Sequence, residues 1–189
     1  MSRLDLIAGP NGAGKTTLFE RVIHATRPGL PFVNADDIAV ARFGSAAERM
    51  SYRAAEIAAN TRTALIDARL DFCTETVFSH PSKVGLVDQA VLAGYDVILH
   101  VVMIPLELSA ERVRVRVAGG GHDVPAEKIA TRYSRIWPNV AAAVARCRRT
   151  VFYDNAGDAG PEEVAAFRGV TKDYAPRWPV WTPDELTEL

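Results

Sequence analysis

An α/β fold is what this sequence predicts, a largely parallel sheet with helices on both faces in three layers. Three observations predict it. A glycine-rich loop over residues 9–17 stands between a short apolar strand pattern and a helix-compatible stretch. Strand and helix patterns then alternate along the chain, as in βαβ units. The composition, 48% hydrophobic and 24% charged, is that of an ordinary globule. With 189 residues the chain can bury a proper core. It reads as one domain, a core over 1–155 followed by a C-terminal strap or hairpin over 156–189.

The loop reads Gly9-Pro10-Asn11-Gly12-Ala13-Gly14-Lys15-Thr16-Thr17. It matches the P-loop pattern G-x-x-x-x-G-K-[ST] at every fixed position. Its backbone N–H groups form a nest for nucleotide phosphates, and glycines let the chain approach the ligand. The Lys15 ammonium reaches the β- and γ-phosphates, the Thr16 hydroxyl ligates Mg²⁺, and the following helix aims its positive end at the anion. All nine residues are nucleotide-binding candidates, and the class sharpens to a P-loop NTPase or kinase. Lys15 is expected to be exposed on its loop.

The other elements follow in order. Leu4–Ala8 is the strand before the loop, and a helix runs from Thr16 to about Ala25. Residues 31–34 read as a second short strand, expected beside the first, with an aspartate of Ala35-Asp36-Asp37 capping a helix from near Ile38. Residues 45–69 are taken as the longest helix. Residues 70–74 form a buried strand that delivers Glu75 and Thr76 at its end. A helix over 81–93 and the strongest strand, 97–104, come next. Residues 112–117 alternate arginine and valine, which is locally a strand pattern. A parallel strand nevertheless requires a crossover after it, and Ser109 suits an N-cap, so the segment is read as helix. Arg112 and Arg116 then share one face, Val113 and Val117 another. Gly119–Gly121 ends that helix, Pro125 opens another to about Arg149, and 150–153 is the last core strand.

Ligands in open α/β sheets bind beyond the carboxyl ends of the strands. That rule selects the P-loop, Asp36 and Asp37, the stretch Glu75 to His80, and the segment after Pro105. Asp36, 21 residues past Lys15, suits a base for an attacking hydroxyl or a water-mediated Mg²⁺ contact, with plain helix capping as the alternative. Glu75 suits hydrogen bonding to substrate hydroxyls or action on the metal. Phosphoryl transfer needs cations around the moving group, and Arg116 beside the glycines is the candidate. The glycines form a candidate lid in which His122 is divided between phosphate contact and loop packing.

A net charge of −1 gives no support to a nucleic-acid or membrane-surface partner. Cys73 and Cys147 make no metal pattern and read as core thiols. No stretch is apolar enough to span a bilayer, and the first residues read as strand rather than signal peptide. The expected setting is cytoplasmic. No apolar run ending in Asp is read as a Walker B strand, which speaks against a switch or ABC-type ATPase.

With these residues assembled, residues 3–155 resemble the zeta toxin family of small P-loop kinases. The resemblance rests on the loop, on Val33-Asn34-Ala35-Asp36, and on Thr74-Glu75-Thr76-Val77-Phe78-Ser79. It extends through Arg116-Val117-Ala118-Gly119-Gly120-Gly121-His122-Asp123-Val124-Pro125 to Arg132-Tyr133. It implies a parallel sheet flanked by helices and ATP- and Mg²⁺-dependent phosphorylation of a UDP-N-acetylsugar. It also implies Asp36 as catalytic base, Glu75 as a substrate-holding acid and Arg116 on the γ-phosphate. A family threonine two positions past the glutamate is Val77 here, so Thr76 or Ser79 takes its place or the acceptor differs. Family members can be toxins held by an antitoxin, which makes such a protein a candidate partner. An antibiotic or metabolite phosphotransferase of the same fold is the alternative.

Overall fold

The computed structural model describes residues 1–119 and 125–189. Strand β1 (Arg3–Ala8) enters the P-loop, and α1 (Lys15–Leu18) leaves it and continues as a π-helical stretch over Phe19–His24. Then come β2 (Phe32–Val33), α2 (Ala35–Phe43), α3 (Ser51–Asp67), β3 (Phe72–Thr76), α4 (Ser82–Leu92) and β4 (Asp96–Met103). Helices α5 (Leu106–Ala118) and α6 (Ala126–Val144) precede β5 (Arg149–Asp154), β6 (Glu162–Arg168), β7 (Thr171–Lys172) and α7 (Asp184–Thr187). The sheet order is β2-β3-β1-β4-β5-β6-β7. The strands from β2 to β5 are parallel; β6 and β7 are antiparallel.

The parallel core follows from apolar strands covered on both faces. Phe72, Leu99 and Phe152 pack with Ile136 and Trp137 of α6 on one face. On the other, Ile7, Cys73, Val102 and Val151 pack with Leu18 and Phe19. Both cysteines are free and buried. A carboxylate lies inside this core. Asp5 is fully buried, and its carboxylate accepts hydrogen bonds from Arg3 and Arg27, with His100 Nε2 3.0 Å away. Burial alone would raise the Asp5 pKa, but the hydrogen bonds and charges of His100 and Arg3 outweigh it and hold the carboxyl below its ordinary value.

The contested segment is helical. Val113 and Val117 pack together with Leu106 and Ile129, whereas Val115 is 62% exposed. The arginine–valine alternation is overridden because four-residue spacing is what puts both packed valines on one face.

Several expectations are corrected. Helix α2 begins at Ala35 instead of near Ile38, because the Asn34 side chain accepts the Asp36 N–H at 2.8 Å and caps it there. Strand β2 pairs with β3, which inserts itself against β1 in a five-residue register. Of the described helices the longest is α6, since residues 44–46 form a 3₁₀ turn that separates α2 from α3. Ser109 lies within α5, where Pro105 stands at the cap. Helix α6 ends at Val144, and Arg149 begins β5, drawn into the parallel ladder with Ile98. Strand β5 is not the last in the core sheet, because β6 adds Val164–Phe167 to the buried set.

Candidate active site

Backbone geometry shapes the P-loop. A Cβ on Gly9 would lie 2.3 Å from the Val102 carbonyl oxygen, and one on Gly14 (φ +86°) would lie 2.5 Å from Asn155 Nδ2. Neither position tolerates a side chain. The loop is clamped from two sides. Asn155, just past β5, donates from Nδ2 to the Ala13 carbonyl at 2.7 Å. Ser109 donates its hydroxyl to the Asn11 carbonyl at 2.7 Å. Asn155 was not anticipated in the sequence. The rule that selects residues beyond strand ends would have found it had it been applied to β5 as well.

Lys15 is 9% exposed, correcting the expectation of an exposed lysine. The helix start folds its chain back under the loop, where Nζ donates to the carbonyls of Gly9 and Pro10 at 3.2 and 3.0 Å. Burial lowers its pKa, and the charges of Glu75 and Asp36 push it back up. Arg116 lowers it further, so the exposed Arg116 lies within electrostatic reach of Lys15.

Strand pairing aligns Glu75 with Ile7, two residues before Gly9. There Glu75 Oε2 accepts the Thr16 hydroxyl at 3.0 Å. Burial raises the Glu75 pKa; Lys15 and the Thr16 hydrogen bond oppose the rise, and Asp36 and Asp37 add to it. Asp36 and Asp37 are both exposed in the first turn of α2, where the helix dipole favours negative charge. The Asp37 pKa is raised by partial burial and by its neighbours Asp36 and Glu20. Lys15, Thr16, Glu75 and Asp36 therefore share one electrostatic neighbourhood at the carboxyl edge of the sheet. An apolar run ending in aspartate does exist, β5 with Asp154. It lies two strands from β1, and Asp154 accepts the Ala156 N–H instead. The acid beside the P-loop threonine is Glu75.

The Thr76 hydroxyl accepts the Phe78 N–H at 3.2 Å and closes a turn in which Phe78 adopts φ +64°. Such a conformation costs on the order of 1–2 kcal/mol. The fully buried Phe78 ring offsets this by roughly 1.5–3 kcal/mol. Asn139 of α6 also holds the turn, donating to the Phe78 carbonyl at 3.1 Å. Ser79 follows, half-buried. Gly120, Gly121 and His122 lie outside the described residues. Arg112 approaches the Gly12 carbonyl at a long 3.5 Å.

Among the described residues no group of three His, Cys, Asp or Glu could hold a metal by itself. Hydroxyl and carboxylate oxygens at Thr16 and Glu75 nevertheless suit a hard cation such as Mg²⁺, which commonly takes one or two protein oxygens together with substrate phosphates.

A sequence model of the zeta toxin family matches residues 3–159. The chain belongs to the zeta toxin family. No curated protein matches it. Among solved structures, the AvrRxo1-ORF1:AvrRxo1-ORF2 complex with ATP is similar at a TM-score of 0.73 and 17% identity, covering 97% of this chain and 66% of that one. The PezAT toxin–antitoxin system of Streptococcus pneumoniae is similar at a TM-score of 0.60 and 17% identity, covering 82% and 67%. Shikimate kinase from Acinetobacter baumannii, in complex with shikimate, is similar at a TM-score of 0.50 and 18% identity, covering 76% and 80%. The chain spans 60–66% of the AvrRxo1 chains it matches. At these identities the likeness is one of fold. The shikimate kinase and gluconokinase chains share this fold. Among the described residues no helix is long and apolar enough to cross a membrane.

Proposed function

We propose that this zeta-family chain transfers the γ-phosphoryl group of ATP to a hydroxyl of a small molecule, with a UDP-N-acetylsugar as the leading acceptor. The convergence of Lys15, Thr16, Glu75 and Asp36 at one sheet edge carries the reading.

The P-loop amides, fixed by Asn155 and Ser109, bind the phosphates without rearranging. Lys15 turns its ammonium from the loop carbonyls to the β- and γ-phosphates. Asp36 accepts the acceptor hydroxyl's proton as that oxygen bonds to the γ-phosphorus, while the β–γ bridging bond breaks and ADP leaves with the electron pair. Arg116 meets the charge that spreads over the equatorial oxygens. Thr16 would hold Mg²⁺ with Glu75 behind it, and the bound ion neutralises phosphate charge. Glu75 together with Thr76 or Ser79 holds the acceptor. His122 is proposed as a further nucleotide contact, and an antitoxin as a protein partner, as in the PezAT system.

Incubating the protein with γ-labelled ATP, Mg²⁺ and a panel of UDP-N-acetylsugars, NAD and aminoglycosides tests the proposal. Label should appear in a UDP-N-acetylsugar and be lost in the Lys15→Ala protein. Label in NAD or an aminoglycoside reassigns the acceptor. Release of phosphate alone, with every acceptor unlabelled, sinks the phosphotransferase reading.

A further inference from the structure

Between α3 and α4 lies an open cleft of about 210 Å³, none of whose walls comes from the P-loop, Asp36 or Glu75. It is lined by Arg62 and Lys83, with Thr63, Ser82 and Gln89 as neutral polar groups and no carboxylate. Arg62 is 8% exposed, yet among the described residues its guanidinium has no acidic or hydrogen-bonding partner. Of the acids on the same helices, Glu56 pairs with Arg53 and Asp88 with Arg146, and Asp67 at the end of α3 does not line the cleft. Burial lowers the pKa of Arg62, and both burial and Arg62 itself lower that of Lys83. A charge buried without a counter-charge is costly, so this arrangement asks for an anion. Gly85 lines the cleft on its open side, where a Cβ would meet nothing within 4 Å.

We infer that this cleft is an oxyanion site that takes a phosphate group, held by the Arg62 guanidinium and the Lys83 ammonium. Two cations match the charge of about −1.5 to −2 on a phosphate better than a single carboxylate, and the planar guanidinium fork suits two of its oxygens. Hydroxyl and amide groups at Thr63, Ser82 and Gln89 can complete the shell. The site stands independently of the acceptor assignment.

The test is thermal unfolding in the Lys15→Ala background, where the P-loop cation is gone, with inorganic phosphate and UDP as probes. Phosphate at about 100 times its Kd should raise Tm by several degrees. Adding Arg62→Met, which keeps much of the volume without the charge, should weaken phosphate binding at least about tenfold. Without phosphate that variant should melt no lower, because no lone charge is then buried. Gly85→Leu, on the exposed side of α4, should block binding by volume alone. If UDP weakens in parallel with phosphate, the phosphate belongs to a nucleotide. If only inorganic phosphate weakens, the ligand is free phosphate. A phosphate-induced shift untouched by Arg62→Met and Gly85→Leu, or no shift in the Lys15→Ala protein, overturns the site.

Discussion

Thr16 and Glu75, 59 positions apart in the chain, are joined by a 3.0 Å hydrogen bond in which the hydroxyl donates to Oε2. The bond puts a carboxylate directly behind the hydroxyl that the P-loop pattern reserves for Mg²⁺. Glu75→Gln keeps an acceptor for the Thr16 hydroxyl and removes the charge. A group behind a metal ligand typically contributes about 10–100-fold in metal affinity or activity. We expect turnover to fall in that range and half-maximal activity to need more Mg²⁺. A mutant with unchanged Mg²⁺ dependence and a raised acceptor KM would restrict Glu75 to acceptor binding.

The neighbouring aspartates separate differently. Asn34 already caps α2, so neither carboxylate is needed for that task. Asp36→Asn should lower kcat by about 10²–10⁴-fold if it takes the hydroxyl proton. Asp37→Asn should do far less, and by removing a charge that raises Glu75 it should lower the Glu75 pKa. Equal losses in steady-state kinetics would transfer the base role away from Asp36.

Arg116 and Arg114 now stand on an established helix, and a two-residue step turns the chain by about 200° around its axis. The charge of Arg116 is felt at Lys15. Arg116→Ala should cut kcat by about 10³-fold or more with little change in ATP affinity, and Arg114→Ala should be mild. Comparable losses from both, in folded proteins, would remove Arg116 from the transition state.

The Asp5 cluster predicts how stability follows pH. Its folded pKa lies below the ordinary aspartate value, so the carboxylate stabilises the fold above about pH 4. That contribution is lost as pH falls through the folded value. Asp5→Asn should destabilise at neutral pH, where it takes a carboxylate from half-buried Arg27 and buried His100, and the difference from wild type should shrink as pH falls below about 4. Urea titrations at several pH values measure this, and a pH-independent difference would contradict it.

The sequence by itself determined the local pieces. The glycines, lysine and threonine of residues 9–17 carry a backbone shape and a charge pattern that a few neighbouring residues suffice to encode. At α5 the local alternation of arginine and valine pointed to a strand, and it was the crossover required after a parallel strand that selected helix. Tertiary structure alone decided which pieces meet. That β3 rather than β2 lies against β1 is a matter of strand order, and it is what brings Glu75 to Thr16. The burial of Lys15, the clamp of Asn155 on Ala13 across 142 positions, and the pairing of Arg62 with Lys83 in one cleft have the same origin. Hydrogen bonds and burial between residues so far apart depend on how whole layers pack. No window of neighbouring residues contains that information.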